Sequence, residues 1–278
     1  MITDAFEPGS TVKPFVVLAA LANGVADKNT IIDTGDGTMQ IGGSRVRDTS
    51  KVGKADLTLI LKKSSNIGVA KLALEMPLEA LLGMYNSVGL GEMSGLNLVG
   101  ETLGIFPNRR RWSQFEIATF VVLAYGLTIT PIQLAHAYAT LGNHGKYQPI
   151  HVVEGNRLGE PRQVVDAKYV NQVLEMLETV TQPGGTATRA AVPGYRIAAK
   201  SGTSRKAIAG GYSDEYFAYT AGVAPVSDPR ISLVVMVNEP QGDSYYGGAV
   251  AGPVFSEIMK GALQILNIAP DENRFQNK

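Results

Sequence analysis

Three short clusters of hydroxyl, amine and amide side chains occur in order along the chain: Ser10-Thr11-Val12-Lys13, Ser64-Ser65-Asn66 and Lys200-Ser201-Gly202-Thr203. A serine hydroxyl is a poor nucleophile at neutral pH and needs an adjacent base. Lysine can be that base when burial and a second cation push its pKa down. Ser10 and Lys13 are three residues apart and would share one face of a helix. The start of that helix adds unpaired N–H groups and the positive end of a dipole beside the hydroxyl. Lys200 is the candidate second cation. Any one motif means little, because an S-x-x-K arises by chance about once in a chain of this length at ordinary composition. Their combination is what points to acyl chemistry.

Ser64-Ser65-Asn66 follows the charged pair Lys62-Lys63 at a break in helical patterning. There the hydroxyl can relay a proton and the amide can fix a lysine ammonium or a substrate amide. On its own the triplet would read as a helix cap. Lys200-Ser201-Gly202-Thr203 is expected at the end of a strand. Gly202 would stand where a side chain would block a peptide lying along the strand edge. The lysine and the two hydroxyls suit a carboxylate, and a backbone N–H near Thr203 could join that of Ser10 as an oxyanion hole.

These groups need elements to hold them. Glu7-Pro8-Gly9 is a turn signal, and the apolar run over 15–22 ends at Asn23-Gly24, a helix stop. A helix apolar almost all round is buried on every side, which puts Ser10 and Lys13 on the first turn of a central element. Pro14 fits only near such a start. Between 33 and 48, glycines and the alternating Met39 and Ile41 predict short surface strands or turns; Gly35-Asp36-Gly37 is a turn, lacking the further glycine of a phosphate cradle. Helical spacing covers 57–74, 78–88, 115–127, 131–141 and 167–180. The segments 195–201, 216–224 and 231–239 read as strands, with turn chemistry at Pro225 and Ser227-Asp228-Pro229. The nearly continuous apolar run 231–237 predicts a central strand covered on both faces. An amphipathic helix over 251–266 would cover one face of that sheet. The expected class is α/β within one domain over 1–278, with a mainly helical lobe over about 10–190 and the sheet with its C-terminal helix over about 191–268.

Composition narrows the chemistry further. The 278 residues are 45% hydrophobic and 18% charged, which excludes disorder and supports a sizeable core. Lys+Arg and Asp+Glu are equal at 25 each, without the basic footprint of a nucleic-acid binder. With no Cys there is no thiolate nucleophile, disulfide framework or Cys-based metal site. His136, His144 and His151 show no metal-binding spacing, and no G-x-S-x-G elbow seats a Ser-His-Asp triad. The longest apolar run, 117–127, is too short to span a bilayer, and the first residues lack the pattern of a signal peptide. Arg109-Arg110-Arg111-Trp112 could meet an anionic glycan, but a short charge run reads first as a solvated face.

The three clusters match the S-x-x-K, S-x-N and K-[ST]-G set of penicillin-interacting serine acyltransferases. The chain resembles the transpeptidase domain of class B penicillin-binding proteins, and among them the division-specific septal D,D-transpeptidases of Gram-negative bacteria. Phe6-Glu-Pro-Gly-Ser-Thr-Val-Lys-Pro14, Thr130-Pro-Ile-Gln-Leu-Ala135, Tyr219-Thr-Ala-Gly-Val-Ala-Pro225 and Tyr245-Tyr-Gly-Gly-Ala-Val250 carry the likeness across essentially the whole chain.

The resemblance implies a penicillin-binding protein/serine β-lactamase-like fold, an antiparallel sheet flanked by helices plus a mainly helical lobe. It implies that Ser10 attacks a stem peptide ending in D-Ala-D-Ala, Lys13 takes the serine proton, Ser64 relays a proton to the leaving amine and Asn66 orients Lys13 and substrate. Lys200, Ser201 and Thr203 would hold the substrate carboxylate. No cofactor or metal is implied. Partners would be peptidoglycan stem peptides, β-lactam antibiotics that acylate Ser10, and a septal glycan polymerase with other division proteins. The expected location is the periplasm, on an inner-membrane anchor that this chain does not include.

Only nine residues precede Ser10, where relatives carry an anchor, a pedestal, a helix and two strands. The expectation is therefore a domain truncated at its N-terminus, with the first strands missing and an unpaired apolar edge on the 231–239 strand. Phe120-Val-Val-Leu-Ala-Tyr-Gly126 is more apolar than the family pattern and is expected as a neutral packing change beneath the cleft. Two other classes fit the motifs: a D,D-carboxypeptidase or β-lactamase-type hydrolase, and a non-catalytic penicillin-binding sensor or inactive fragment. Against the hydrolase, no Glu-x-x-x-Asn lies between the second and third clusters.

Overall fold

The computed structural model describes residues 1–96, 98–108, 111–153, 159–208 and 210–272. A 3-10 turn, Gly9–Val12, leads directly into α1, Lys13–Ala22, with Pro14 in its first turn. Every residue of α1 from Lys13 to Leu21 is buried. The entry segment is fixed from several sides: Phe6 exchanges backbone bonds with Ile129, and Tyr138 Oη donates to Thr11 O at 2.9 Å. Asn23 and Gly24, the latter at φ +68, end the helix where the sequence signals it.

Four short strands follow: β1, Ile31–Asp33, β2, Thr38–Ile41, β3, Ser44–Arg47, and β4, Lys54–Asp56. They pair as two antiparallel ribbons, β1 with β4 and β2 with β3. The helical stretch expected over 57–74 is two helices, α2, Leu57–Lys63, and α3, Asn66–Leu74. Apolar spacing runs through the break, so periodicity alone joins them. The interruption is made by Ser64, left-handed at φ +58, and by Ser65, whose Oγ accepts from Gly68 N at 2.9 Å and caps α3. Gly68 allows the two helices to close on each other, since a Cβ there would meet three Ile60 side-chain carbons at 2.8–2.9 Å.

The helical part continues with α4, Leu78–Ser87, α5, Gln114–Leu123, and α6, Pro131–Gly142, then the small ribbon β5, Lys146–Tyr147, with β6, Arg162–Gln163, and α7, Ala167–Thr181. Capping boxes at Ser113/Glu116 and Thr130/Gln133 start α5 and α6. α5 stops four residues before the predicted 127, because Ala124 and Gly126 turn the backbone left-handed. Within the segment 120–126, Phe120, Val121 and Ala124 are buried in the core, Val122 and Leu123 also line the cleft wall, and the Tyr125 ring packs 5.3 Å from Tyr212. Arg109 and Arg110 lie outside the described residues.

After a second 3-10 turn, Thr188–Ala190, comes an antiparallel sheet of β7, Ala198–Ile208, β8, Gly211–Ala224, and β9, Ile231–Asn238, in the order β7-β8-β9. Lys200 pairs with Ala221 and Gly202 with Tyr219. Two expectations are corrected. Lys200–Thr203 lie well inside β7 and not at its end, because the polar stretch 204–208 extends the strand as a ribbon against β8. β9 is an edge strand and β8 is central; among the described residues β9 pairs with β8 alone. Its apolar run is explained by helices α6 and α8, Gly247–Ile265, packing against it. Apolarity reports covered faces and says nothing about the edges. α8 itself begins four residues before the predicted 251, at glycines whose lack of a Cβ lets the helix start press against Gly202 and Thr186.

The α2–α3 junction yields a stability test. Gly68→Ala gains up to about 1 kcal/mol in helix propensity but meets an overpacking cost of about 1–3 kcal/mol against Ile60. Net destabilisation is expected in urea unfolding, with partial recovery on adding Ile60→Val. Strictly additive effects of the two changes would show that this contact does not set the junction.

Candidate active site

The three clusters meet at one cleft of about 540 Å³, lined among others by Ser10, Ser64, Asn66, Ser201, Gly202 and Thr203. Ser10 sits on the 3-10 turn one step ahead of Lys13, whose backbone N–H donates to Ser10 O. The Lys13 side chain is fully buried and reaches across to the α2–α3 junction. Its Nζ contacts Ser64 O at 2.8 Å, Ser64 Oγ at 3.3 Å and Asn66 Oδ1 at 2.6 Å.

The break between α2 and α3 divides labour among its residues. Ser65 is the cap; Ser64 and Asn66, on either side, are left free to face Lys13. Asn66 Nδ2 donates to Arg47 O at 2.6 Å, which fixes the amide with its oxygen toward the lysine. Asp48 supports both flanks: its carboxylate accepts from Ser65 Oγ at 2.7 Å and from Ile67 N at 2.9 Å. Sequence reasoning missed Asp48, and an aspartate in a short loop carries no signal that would single it out.

Burial, reinforced by the nearby Lys200 charge, holds the Lys13 amine well below the usual lysine range; Asp48 opposes this. Burial alone lowers Lys200 to about 7, and its Nζ donates to Ser201 O at 3.1 Å. A neutral Lys13 can donate to Ser64 O and Asn66 Oδ1 while keeping a lone pair to receive a hydroxyl proton. This is the electrostatic condition for a lysine to act as a base.

Alternation along β7 sends Lys200 and Gly202 to the face carrying Tyr219, and Ser201 and Thr203 to the face covered by α8. Thr203 Oγ1 accepts from Gly247 N at 3.0 Å and keeps its own proton for a ligand. Ser201 Oγ lies 3.3 Å from Thr186 O and Oγ1. Gly202 lines the cleft and has a second reason to be glycine: a Cβ there would overlap the Tyr219 ring on the adjacent strand, so packing within the sheet also requires it. Tyr219 Oη in turn donates to Glu7 O at 2.9 Å, and Gly9, at φ +48, admits that hydroxyl. The ring thus ties the sheet to the segment bearing Ser10. Glu7 adds a second tie, accepting from Tyr212 Oη at 2.9 Å, and its burial raises the carboxyl pKa.

Comparison with known proteins shows what the chain as a whole is similar to. The family described as penicillin binding protein transpeptidase domain matches residues 1–260. The chain is 48% identical over 271 residues to the peptidoglycan D,D-transpeptidase FtsI of Escherichia coli (strain K12), covering 97% of this chain and 46% of that protein. It is 38% identical over 270 residues to the probable peptidoglycan D,D-transpeptidase PenA of Neisseria gonorrhoeae, again over 97% and 46%. The chain therefore spans about half the length of the curated relatives it matches. Among solved structures, the apo transpeptidase domain of Burkholderia pseudomallei penicillin-binding protein 3 superposes with a TM-score of 0.91 at 38% identity, over 97% of this chain and 82% of that one.

Two substitutions test the site's construction. Gly202→Ala must displace Tyr219 and is expected to destabilise by about 1–3 kcal/mol in thermal or urea unfolding; a neutral effect would remove the packing argument. Lys200→Met should act oppositely. The unfolded chain protonates Lys200 with an ordinary pKa of 10.5 while the fold holds it at about 7, so folding loses stability as pH falls from 10.5 to 7. Methionine is expected to raise stability at pH 7 by about 1–4 kcal/mol, and a lowered melting temperature would contradict this.

Proposed function

The chain belongs to the penicillin-binding protein transpeptidase family, and from that premise we propose that it is a serine acyltransferase cross-linking peptidoglycan stem peptides at D-Ala-D-Ala during septal wall synthesis. The observation that carries the reading is the fully buried Lys13, its Nζ held by Ser64 and Asn66 next to the turn bearing Ser10.

In this mechanism Ser10 Oγ attacks the carbonyl of the penultimate D-alanine as its proton passes to Lys13 Nζ. The tetrahedral oxyanion is received by the backbone N–H groups of Ser10 and Thr203. Collapse breaks the C–N bond to the terminal D-alanine, and Ser64 Oγ passes a proton from Lys13 to the leaving amine. Lys200, with the Ser201 and Thr203 hydroxyls, holds the carboxylate of the departing residue. An amine from a neighbouring strand then attacks the acyl carbon, forms the amide and returns the Ser10 hydroxyl. Asn66 fixes Lys13 throughout. A β-lactam enters the first half of this sequence, and its ring amine remains tethered after opening. By the same reading the chain works in the periplasm as part of a membrane-anchored protein, beside a septal glycan polymerase and other division proteins.

Incubation with benzylpenicillin should add one penicilloyl mass to Ser10, seen by peptide mass spectrometry. Ser10→Ala should carry none, and Lys13→Met should slow acylation by about 10²–10⁴-fold. An unmodified Ser10 in folded protein would overturn the assignment, and continuous hydrolysis in place of a stoichiometric burst would favour the hydrolase. Protonation of Lys13 removes the base, so the acylation rate should fall on the acid side of its pKa. Because Lys200 lowers that pKa, Lys200→Met should move the acidic limb to higher pH. A limb that stays in place or moves lower would contradict the coupling.

A further inference from the structure

The charged side chains lining the cleft are Lys63 and Arg189, with no Asp or Glu among the described lining residues. In a chain with equal numbers of acidic and basic residues, a lining of one sign is not a by-product of overall charge. Both cations are held against neutral backbone: Lys63 Nζ donates to Gly184 O at 2.7 Å and Arg189 Nη1 to Ala249 O at 3.3 Å. The ion pairs found among the described residues involve other cations. Such cations on a cleft wall keep their charge available to an anionic ligand. Ala249 lies in the first turn of α8, whose N-terminal end adds partial positive charge to the same wall.

Their position in the cleft is defined by the residues beside them. Lys63 adjoins Ser64, the proposed donor to the leaving amine. Arg189 stands on the turn that follows Thr186, which contacts Ser201, a proposed holder of the leaving residue's carboxylate. Both cations therefore flank the side from which the first product departs and from which the second substrate must arrive.

We propose that Lys63 and Arg189 form an acceptor subsite, taking a carboxylate of the incoming amine-bearing peptide that is separate from the carboxylate held by Lys200, Ser201 and Thr203. The inference rests on the acyl-transfer reading. In the step it serves, the acceptor nitrogen bonds to the acyl carbon, the bond from that carbon to Ser10 Oγ breaks, and the amine proton passes through Lys13 to Ser10 Oγ. The predicted class of acceptor is an anionic peptide.

The test loads Ser10 from an N-acyl-D-alanyl thioester and offers D-glutamate or D-glutamine, amines that differ by one side-chain carboxylate. Partition between amide product and hydrolysis is read by mass spectrometry. D-glutamate should be favoured by about two- to fivefold, the scale of one solvent-bordered ion pair. Lys63→Ala and Arg189→Ala should each reduce that ratio, Arg189→Lys should retain most of it, and Arg189→Glu should invert it. Equal partition in the unmodified protein, a preference surviving both alanine variants, or an acyl-enzyme that transfers to neither amine would overturn the subsite while leaving Ser10 acylation intact. Failure to form any acyl-enzyme would instead remove the transfer reading itself.

Discussion

A lysine amine taken fully out of water is the constraint around which the rest of the molecule is arranged. Isolated burial of an ammonium is prohibitive, so Lys13 is driven toward its neutral form and toward any acceptor within reach. Those acceptors, Ser64 and Asn66, come from a different part of the chain, some fifty residues on. Bringing them to Lys13 requires α1 to be enclosed, the α2–α3 junction to break at the right residue, and Asp48 to hold the far side of that junction. Lys200 arrives from the sheet on the other side. The core here is as much a device for controlling two amines as it is a source of stability.

The sheet meets this centre through Tyr219. Its ring lies over Gly202, and its hydroxyl bonds the backbone of Glu7 beside Gly9. Glycine is therefore demanded at two positions by one aromatic side chain, and the relative placement of β7 and the Ser10 turn follows from sterics. Gly247 and Gly248 do the same for the start of α8, bringing it onto β7 so that its backbone reaches Thr203. Motif residues that look like substrate contacts are thus partly contacts of the protein with itself.

Much of this was legible in the sequence. The enclosed first helix, the strand segments and the three clusters follow from residue types and spacing, because burial and hydrogen-bonding demands are local enough to leave a pattern. Several features were not. The continuous apolarity of β9 reflects helices on its faces and is silent about its edge. The amphipathic pattern of α8 begins only at 251, and the close approach that lets Gly247 and Gly248 start the helix is a relation of the fold. The polar ribbon 204–208 lacks the alternation that marks a half-buried strand. Asp48 acts through hydrogen bonds to residues 65 and 67, a relation that only folding creates.

Ser64 holds a left-handed backbone at φ +58 while its carbonyl and hydroxyl both face Lys13. For a residue with a Cβ that geometry costs on the order of 1–2 kcal/mol, and glycine would adopt it freely. Folding and the proposed proton relay thus want different residues at one position. A library of this chain screened only for heat resistance would be drawn toward glycine there, and its most durable members would lack the hydroxyl that faces Lys13.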